Sequence, residues 1–121
     1  QGWLTVAIGR SAGSCSQGGS AVAIGHIAGQ CHQNHAAVAI GTRAGRYSQG
    51  EYAIALGAHA ATCSQASNSI VINASGNYIQ SAGVGTTVIQ TLRTVTGGTA
   101  PAGFSPVYYD PTSGELIVVT S

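Results

Sequence analysis

Three cysteines are the residues of this chain best suited to chemistry. Cys15, Cys31 and Cys63 are separated by 16 and 32 residues, which does not match the CxxC spacing typical of zinc sites. A disulfide needs two α-carbons about 4.4–6.8 Å apart, so it depends on whether the fold brings two cysteines together. The third cysteine then remains unpaired. Separations that are multiples of 16 indicate a structure that repeats with that period.

Histidines lie close to Cys31, and imidazole with thiolate is a common ligand set for transition metals. His32 and His35 are three residues apart, however, and on an extended chain they face opposite ways. His26 occupies yet another position of the 16-residue period. We therefore expect surface histidines and no metal site, except on an axis where one histidine from each of three chains converges.

No group of residues has the spacing of a catalytic site or a cofactor site. The carboxylates are Glu51, Asp110 and Glu115, too few and too scattered for an acid–base pair. The glycine-rich segment 83–86 lacks the lysine of a phosphate-binding loop. We predict that the chain is not an enzyme and holds no cofactor. The remaining binding candidates are aromatic side chains suited to stacking on sugar rings: Trp3, Tyr47, Tyr52, Tyr78 and Tyr109.

A 16-residue phrase occurs five times without insertion or deletion. Each copy begins with an apolar tetrad: Val6-Ala7-Ile8-Gly9, Val22-Ala23-Ile24-Gly25, Val38-Ala39-Ile40-Gly41, Ile54-Ala55-Leu56-Gly57 and Ile70-Val71-Ile72-Asn73. A glutamine keeps the same step at Gln17, Gln33, Gln49 and Gln65. A strict short period predicts stacked copies of one unit, none of which buries its apolar side alone. The chain is predicted to be an all-β solenoid of 16-residue coils.

The tetrads are short, β-branched and bounded by glycine, which favours strands over helices. Alternation along a strand puts Val22 and Ile24 on one face and Ala23 on the other. We expect the large side chains inside the coil and the alanines outside, where another chain can approach closely. The glutamine column is expected to form a ladder of side-chain amides between coils.

Two further columns of the repeat carry expectations. The glycines that end the tetrads should adopt positive φ, and Asn73 should do so in the fifth copy. Stacked coils place the α-carbons of Cys15 and Cys31 about 4.8 Å apart, within disulfide range, and put Cys63 two coils away from Cys31. The simpler interpretation is a column that points inward and accepts small or apolar side chains.

Charged residues make up only 6% of the chain, and the net charge is +1. This composition gives no electrostatic footprint for nucleic acid or for an anionic membrane. No apolar run approaches the roughly 20 residues of a membrane-spanning helix, so we predict no membrane insertion. The chain is 44% apolar and periodic, which excludes disorder. So few charges favour association with further copies of the same chain.

The period is lost after Gly76, and the remainder predicts a β-rich tip. Residues 86–96 alternate as one longer strand. The segments 106–109 and 115–119 flank a turn in which Pro111 and Gly114 favour a hairpin. We therefore divide the chain into a repeat shaft, residues 1–76, and a C-terminal tip, residues 77–121.

Two segments resemble known families. The repeat, written in its second copy as Ala21-Val22-Ala23-Ile24-Gly25 and continued by Ala28-Gly29 and Gln33, resembles the head repeat of trimeric autotransporter adhesins and related repeats of phage and large-virus fibres. That resemblance covers residues 4–76 and implies a left-handed parallel β-roll with three chains around one axis. The segment from Tyr108 to Leu116 resembles the region before the self-cleaving intramolecular chaperone of viral and phage tail fibres. In that family the chaperone assembles the trimer and cuts itself off beside a serine, which makes Ser121 the expected processing end.

Together the resemblances imply the distal part of a homotrimeric viral or phage fibre, on the virion surface or extracellular. Its expected role is structural, with attachment to a host cell-surface glycan or protein receptor. The alternative is the head of a bacterial trimeric autotransporter adhesin at the bacterial cell surface. The parent reading frame distinguishes the two, since the first predicts a chaperone domain and the second predicts coiled-coil heptads. A glycan-depolymerising spike is a third class, which a glycan-degradation assay tests.

Residues 77–121 are predicted not to fold when they are separated from the repeats. These 45 residues, with one hairpin and one strand, bury too little apolar area to offset the entropy of ordering the chain. Circular dichroism and light scattering on the fragment should show a disordered or aggregated chain. A folded, monomeric fragment would show that the tip is an independent domain.

Overall fold

The structure, a computed structural model, describes residues 2–90, 102–103 and 107–118. Within those ranges there is no helix, and the regular elements are three-residue β-strands. They are β1 (Val6–Ile8), β2 (Cys15–Gln17), β3 (Val22–Ile24), β4 (Cys31–Gln33), β5 (Val38–Ile40), β6 (Tyr47–Gln49), β7 (Ile54–Leu56), β8 (Ile70–Ile72), β9 (Thr87–Ile89), β10 (Val107–Tyr109) and β11 (Leu116–Val118). The described part of the chain contains no helix of the length and hydropathy needed to cross a membrane.

The strands up to β9 stack as coils in two parallel sheets. The first sheet has the order β1-β3-β5-β7-β8-β9, and the second has the order β2-β4-β6. Val6 pairs with Val22 and Val22 pairs with Val38, so each step of the first sheet advances the chain by 16 residues. The second sheet repeats this step and continues beyond β6 as a bridge between Tyr47 and Cys63. The predicted β-solenoid of 16-residue coils is confirmed.

A glycine follows each of the first strands because two coils meet there at backbone contact. Gly25 and Gly41 have φ of 128° and 123°, a region that side chains with a Cβ rarely adopt. The amide of Gly41 donates to the carbonyl of Ile24 in the preceding coil at 2.8 Å. A Cβ on Gly41 would lie 2.7 Å from the carbonyl carbon of Gly57. The positive φ predicted for this column is confirmed.

Asn73 occupies the glycine position of the fifth coil but does not have positive φ. The prediction that it replaces glycine in that conformation is therefore wrong. Its buried Nδ2 donates to the carbonyls of Ala58 at 2.8 Å and Asn77 at 2.6 Å, and its Oδ1 accepts from the backbone amide and hydroxyl of Ser75. Side-chain hydrogen bonds thus tie two successive turns together where glycine is absent.

Alanines fill the interior of the coils and the large aliphatic side chains lie outside, the reverse of the predicted arrangement. Ala23 and Ala39 are 0% exposed, whereas Ile8 and Ile40 are 59% and 38% exposed. The physical reason is the width of the coil. A glutamine from the second sheet reaches across to the first sheet, and a close-packed interior then has room for only a methyl group opposite it.

Each buried glutamine joins the two sides of its coil. Gln33 is 1% exposed, and its Nε2 donates to the carbonyls of Val22 at 2.8 Å and Ala37 at 3.1 Å. The same pair of bonds recurs in the other coils from Gln17, Gln49 and Gln65. A bond between two glutamine side chains forms at one step of the described chain, from Gln49 Nε2 to Gln65 Oε1 at 3.1 Å. Backbone carbonyls therefore replace most of the predicted amide ladder.

The Ala-Gly marker of the repeat follows from the same packing. Ala28 is fully buried, and a Cβ on Gly29 would meet Gln33 Oε1 at 2.7 Å. Gly29 also has a φ of 48°, which glycine adopts without a steric penalty. The marker thus leaves the space that the glutamine amide occupies.

The first sheet continues past Gly76 although the sequence period does not. β9 pairs in parallel with β8, and Thr87 lies opposite Ile70, so this coil advances the chain by 17 residues instead of 16. One additional residue is enough to hide the strand from a fixed 16-residue frame. Within the predicted strand at 86–96, the described residues contain β9, and residues 91–96 lie outside the described ranges.

The predicted hairpin is present, since β10 and β11 pair antiparallel. Its turn is held by Asp110, whose two carboxylate oxygens accept from the Thr112 amide and the Ser113 hydroxyl, each at 2.8 Å. The bond from the Thr112 amide, followed by that from Ser113, keeps the pKa of Asp110 below its usual value. Gly114 closes the turn with a φ of 77°.

Gln33→Leu is expected to lower the free energy of unfolding by about 1–3 kcal/mol, because it deprives two buried carbonyls of a donor. The matched control is Gln30→Leu, which removes only a partly buried bond from Arg46 Nε at 3.0 Å and should change stability by about 0.5 kcal/mol or less. Urea denaturation followed by circular dichroism measures both. Equal losses in the two variants would contradict a structural role for the buried amide.

Candidate functional site

The outer side of the first sheet is a continuous aliphatic surface, called the apolar face below. Its side chains come from the first and third residues of the strands: Val6, Ile8, Val22, Ile24, Val38, Ile40, Ile54, Leu56, Ile70 and Ile72. All of them are half-buried or exposed, and none is charged. At a strand spacing of about 4.8 Å, the two ladders run for about 19 Å along the solenoid. Contiguous apolar patches of this kind mark interaction surfaces more often than free surface.

An open cleft of about 790 Å³ lies between the C-terminal end of the apolar face and the hairpin. Ile70 and Ile89 line it on the side of the first sheet, and Val107, Tyr109 and Leu116 line it on the side of the hairpin. The three hairpin side chains are 61%, 64% and 70% exposed. The apolar character of the face therefore continues onto the hairpin.

The cysteine column lies on the outside of the second sheet, so the prediction that it points inward is wrong. Cys15 and Cys63 are exposed and Cys31 is half-buried. Simple alternation would put Cys31 and Gln33 on the same face. His32 between them has a φ of 56°, which breaks the alternation and turns the glutamine inward while the cysteine stays outside.

Cys15 and Cys31 are direct neighbours across the second sheet, and their Sγ atoms lie 2.6 Å apart. The hydrogen bond from the Cys31 thiol lowers the pKa of Cys15, and the same bond raises the pKa of Cys31. Cys63 lies beside Tyr47, which separates it from Cys31 in the column. The fold therefore brings together two of the three cysteines.

The five aromatic candidates are exposed and lie apart from one another. Their exposed fractions are 90% for Trp3, 37% for Tyr47, 55% for Tyr52, 63% for Tyr78 and 64% for Tyr109. In the described ranges, no ring contact joins any two of these five residues. They do not form one shared aromatic site within a single chain.

Tyr78 forms a cluster with Arg43 and His59, called the Tyr78 cluster below. The Tyr78 and His59 rings are 4.4 Å apart between centroids, and Arg43 Nη1 donates to the Tyr78 hydroxyl at 3.5 Å. Arg43 and His59 occupy the same turn of adjacent coils, with φ of 58° and 60°. Neither is evident as a binding residue from its type, and the signal in the sequence is their 16-residue spacing. An exposed ring beside a guanidinium and an imidazole is suited to a polar ligand with an apolar face.

Two other tyrosines have a single polar neighbour each. The Arg46 guanidinium carbon lies 4.4 Å from the centroid of the Tyr47 ring, a cation–π contact. His35 packs edge-on against Tyr52 with ring centroids 5.7 Å apart. These contacts hold the rings on the surface but offer fewer groups to a ligand than the Tyr78 cluster.

The histidines near Cys31 are surface residues, as predicted, since His26, His32 and His35 are all exposed. Among the residues that the structure describes, no three side chains of histidine, cysteine, aspartate or glutamate lie close enough to hold a metal ion. The groups that the fold does assemble are the apolar face, the thiol pair and the Tyr78 cluster.

No protein-family model, curated protein or solved structure matches the chain. Function is therefore argued from these three features and from the repeat itself.

Proposed function

We propose that this chain is the distal part of a homotrimeric viral or phage attachment fibre. In this proposal the solenoid is a left-handed β-roll, three copies pack around one axis, and the assembly lies on the virion surface. The role is structural and adhesive and involves no catalysis. The observation that carries the proposal is the apolar face, which a single chain leaves open to solvent.

The apolar face is suited to packing against further copies of this chain. Its ladders contain aliphatic side chains only, so association would bury no charge and no unpaired polar group. Ile8 is 59% exposed and Val6 is 41% exposed, and covering such side chains contributes about 25 cal/mol per Å² of buried apolar area. With charged residues at 6% of the chain, a free apolar face also favours aggregation unless a defined partner covers it.

Parallel stacking supports assembly with the chains side by side. Because every coil presents the same pair of aliphatic residues at the same height, copies that align their solenoid axes match ladder to ladder. The cleft beside the hairpin is lined by Ile89 and Leu116, and it continues this surface past the last full repeat. The number three comes from the resemblance of the repeat to trimeric fibre and adhesin heads.

The receptor role is assigned to side chains on the turns, away from the apolar face. Tyr78 is 63% exposed and has a guanidinium and an imidazole beside its ring. A sugar presents an apolar ring face with hydroxyls at its rim, which this combination complements. We therefore propose a host cell-surface glycan as the ligand of the Tyr78 cluster.

Ile40→Asp is predicted to abolish the trimer. Ile40 is 38% exposed in one chain, so the aspartate stays hydrated in a monomer but would be buried between copies, which costs several kcal/mol. The neighbouring Ala39→Asp puts the same charge into the closed interior and should unfold the coil itself. Sedimentation velocity and circular dichroism on the parent and both variants separate the two effects.

The parent chain should sediment as a trimer and the Ile40→Asp variant should not. A parent that sediments as a folded monomer contradicts the proposal directly. An Ile40→Asp variant that remains as trimeric as the parent would show that the apolar face is not the contact between copies.

Tyr78→Ala is predicted to weaken glycan binding by about threefold to tenfold, the loss expected for one aromatic stacking contact. Tyr78→Phe keeps the ring and removes the hydroxyl that Arg43 contacts, so it should retain most of the affinity. Binding of the assembled protein to a panel of immobilised cell-surface glycans measures both variants. Unchanged binding by Tyr78→Ala would exclude this cluster as the receptor site without affecting the evidence for the trimer.

A further inference from the structure

The thiol pair on the second sheet has the geometry of a reaction site that neither the fold nor the proposed attachment role requires. Cys15 and Cys31 stand directly opposite each other in β2 and β4. Their Sγ atoms are 2.6 Å apart, about half an ångström beyond the bond length of a disulfide. Adjacent strands also place their α-carbons within the range that a disulfide spans. Bond formation therefore needs only a small movement of the two side chains.

Both sulfur atoms are on a surface that reagents can reach. Cys15 is exposed, Cys31 is half-buried, and the second sheet lies on the side of the coil opposite the apolar face. Association through the apolar face would leave the pair open to solvent. Its reactivity is consequently independent of the oligomeric state.

The two thiols also divide the roles of a thiol–disulfide exchange. Cys15, with its lowered pKa and its greater exposure, is the better attacking group, because the thiolate is the nucleophile in this reaction. Cys31 is held beside it as the thiol that completes the exchange. Cys63 has no cysteine next to it within the described ranges, since its neighbour in the column is Tyr47.

We propose that Cys15 and Cys31 are a redox modification site, at which a small-molecule disulfide converts the pair into a disulfide that links adjacent coils. The Cys15 thiolate attacks one sulfur of the oxidant and expels the other half as a thiolate. Cys31, after losing its proton, then attacks the Cys15 sulfur and expels the second half. The oxidant is reduced to two thiols, and the protein loses two hydrogens as one sulfur–sulfur bond forms.

The link closes the 16-residue segment between two stacked coils. It constrains the unfolded chain, and in the folded chain it opposes the separation of β2 from β4. Oxidising surroundings would therefore make this part of the solenoid more resistant to local opening, and a reductant would reverse the effect.

The test uses the full chain with the substitution Cys63→Ser, oxidised glutathione as the probe, and intact-mass analysis after alkylation of the free thiols. The folded protein is expected to lose two hydrogens, to retain no glutathione and to leave no thiol to alkylate. The matched control, Cys31→Ser combined with Cys63→Ser, should instead retain one glutathione on Cys15. Half-conversion of the pair should need at least about tenfold less oxidant in buffer than in denaturing urea, because the folded strands raise the local concentration of the second thiol.

The same samples give a second readout in the urea midpoint of unfolding, which should rise on oxidation and return on reduction. Retention of glutathione on both cysteines, a covalent link between two chains, or equal oxidant demand in buffer and in urea would each overturn the proposal. A parent chain that proves monomeric would refute the fibre proposal and leave this one intact.

Discussion

The narrow interior of the coil is the constraint on which the other features depend. A glutamine from the second sheet crosses the coil and donates to carbonyls on both sides, as Gln33 does to Val22 and Ala37. In a close-packed interior the opposite sheet can then contribute only methyl groups, and Ala39 is accordingly 0% exposed. Amide hydrogen bonds thus replace part of the work that a large hydrophobic core does elsewhere. The coil is thin because its centre is polar.

A thin interior has a consequence for the outside. The aliphatic residues of the tetrads have no room within the coil, so they form the apolar face, where Ile40 remains 38% exposed. A single chain consequently buries alanine and glutamine and leaves its best hydrophobic groups in water. Such a distribution is suited to a subunit that completes its burial by association. The attachment fibre proposed above is built on this imbalance.

The fixed step between coils also determines which side chains can meet on the surface. Residues 16 apart become direct neighbours, so two reactive or polar side chains in one column are held together whether or not they stabilise the fold. Cys15 with Cys31 and Arg43 with His59 are both pairs of this kind. A solenoid can therefore gain a local site from two substitutions in one column, since the backbone already supplies the positioning.

Sequence alone determined the period, the parallel stacking of strands, the positive φ of glycines such as Gly41, and the hairpin, because each follows from a local rule about spacing or backbone freedom. Only the tertiary structure decided which face is inside. Alternation separates Val22 from Ala23 but does not say which of them meets a neighbour, and the answer depends on a glutamine that arrives from the other side of the coil. The cysteine column was unpredictable for a related reason, since one residue at positive φ, His32, reverses the alternation. The additional residue before β9 likewise becomes visible only through the pairing of Ile70 with Thr87, because a hydrogen-bonded register tolerates a longer turn that a fixed sequence period does not.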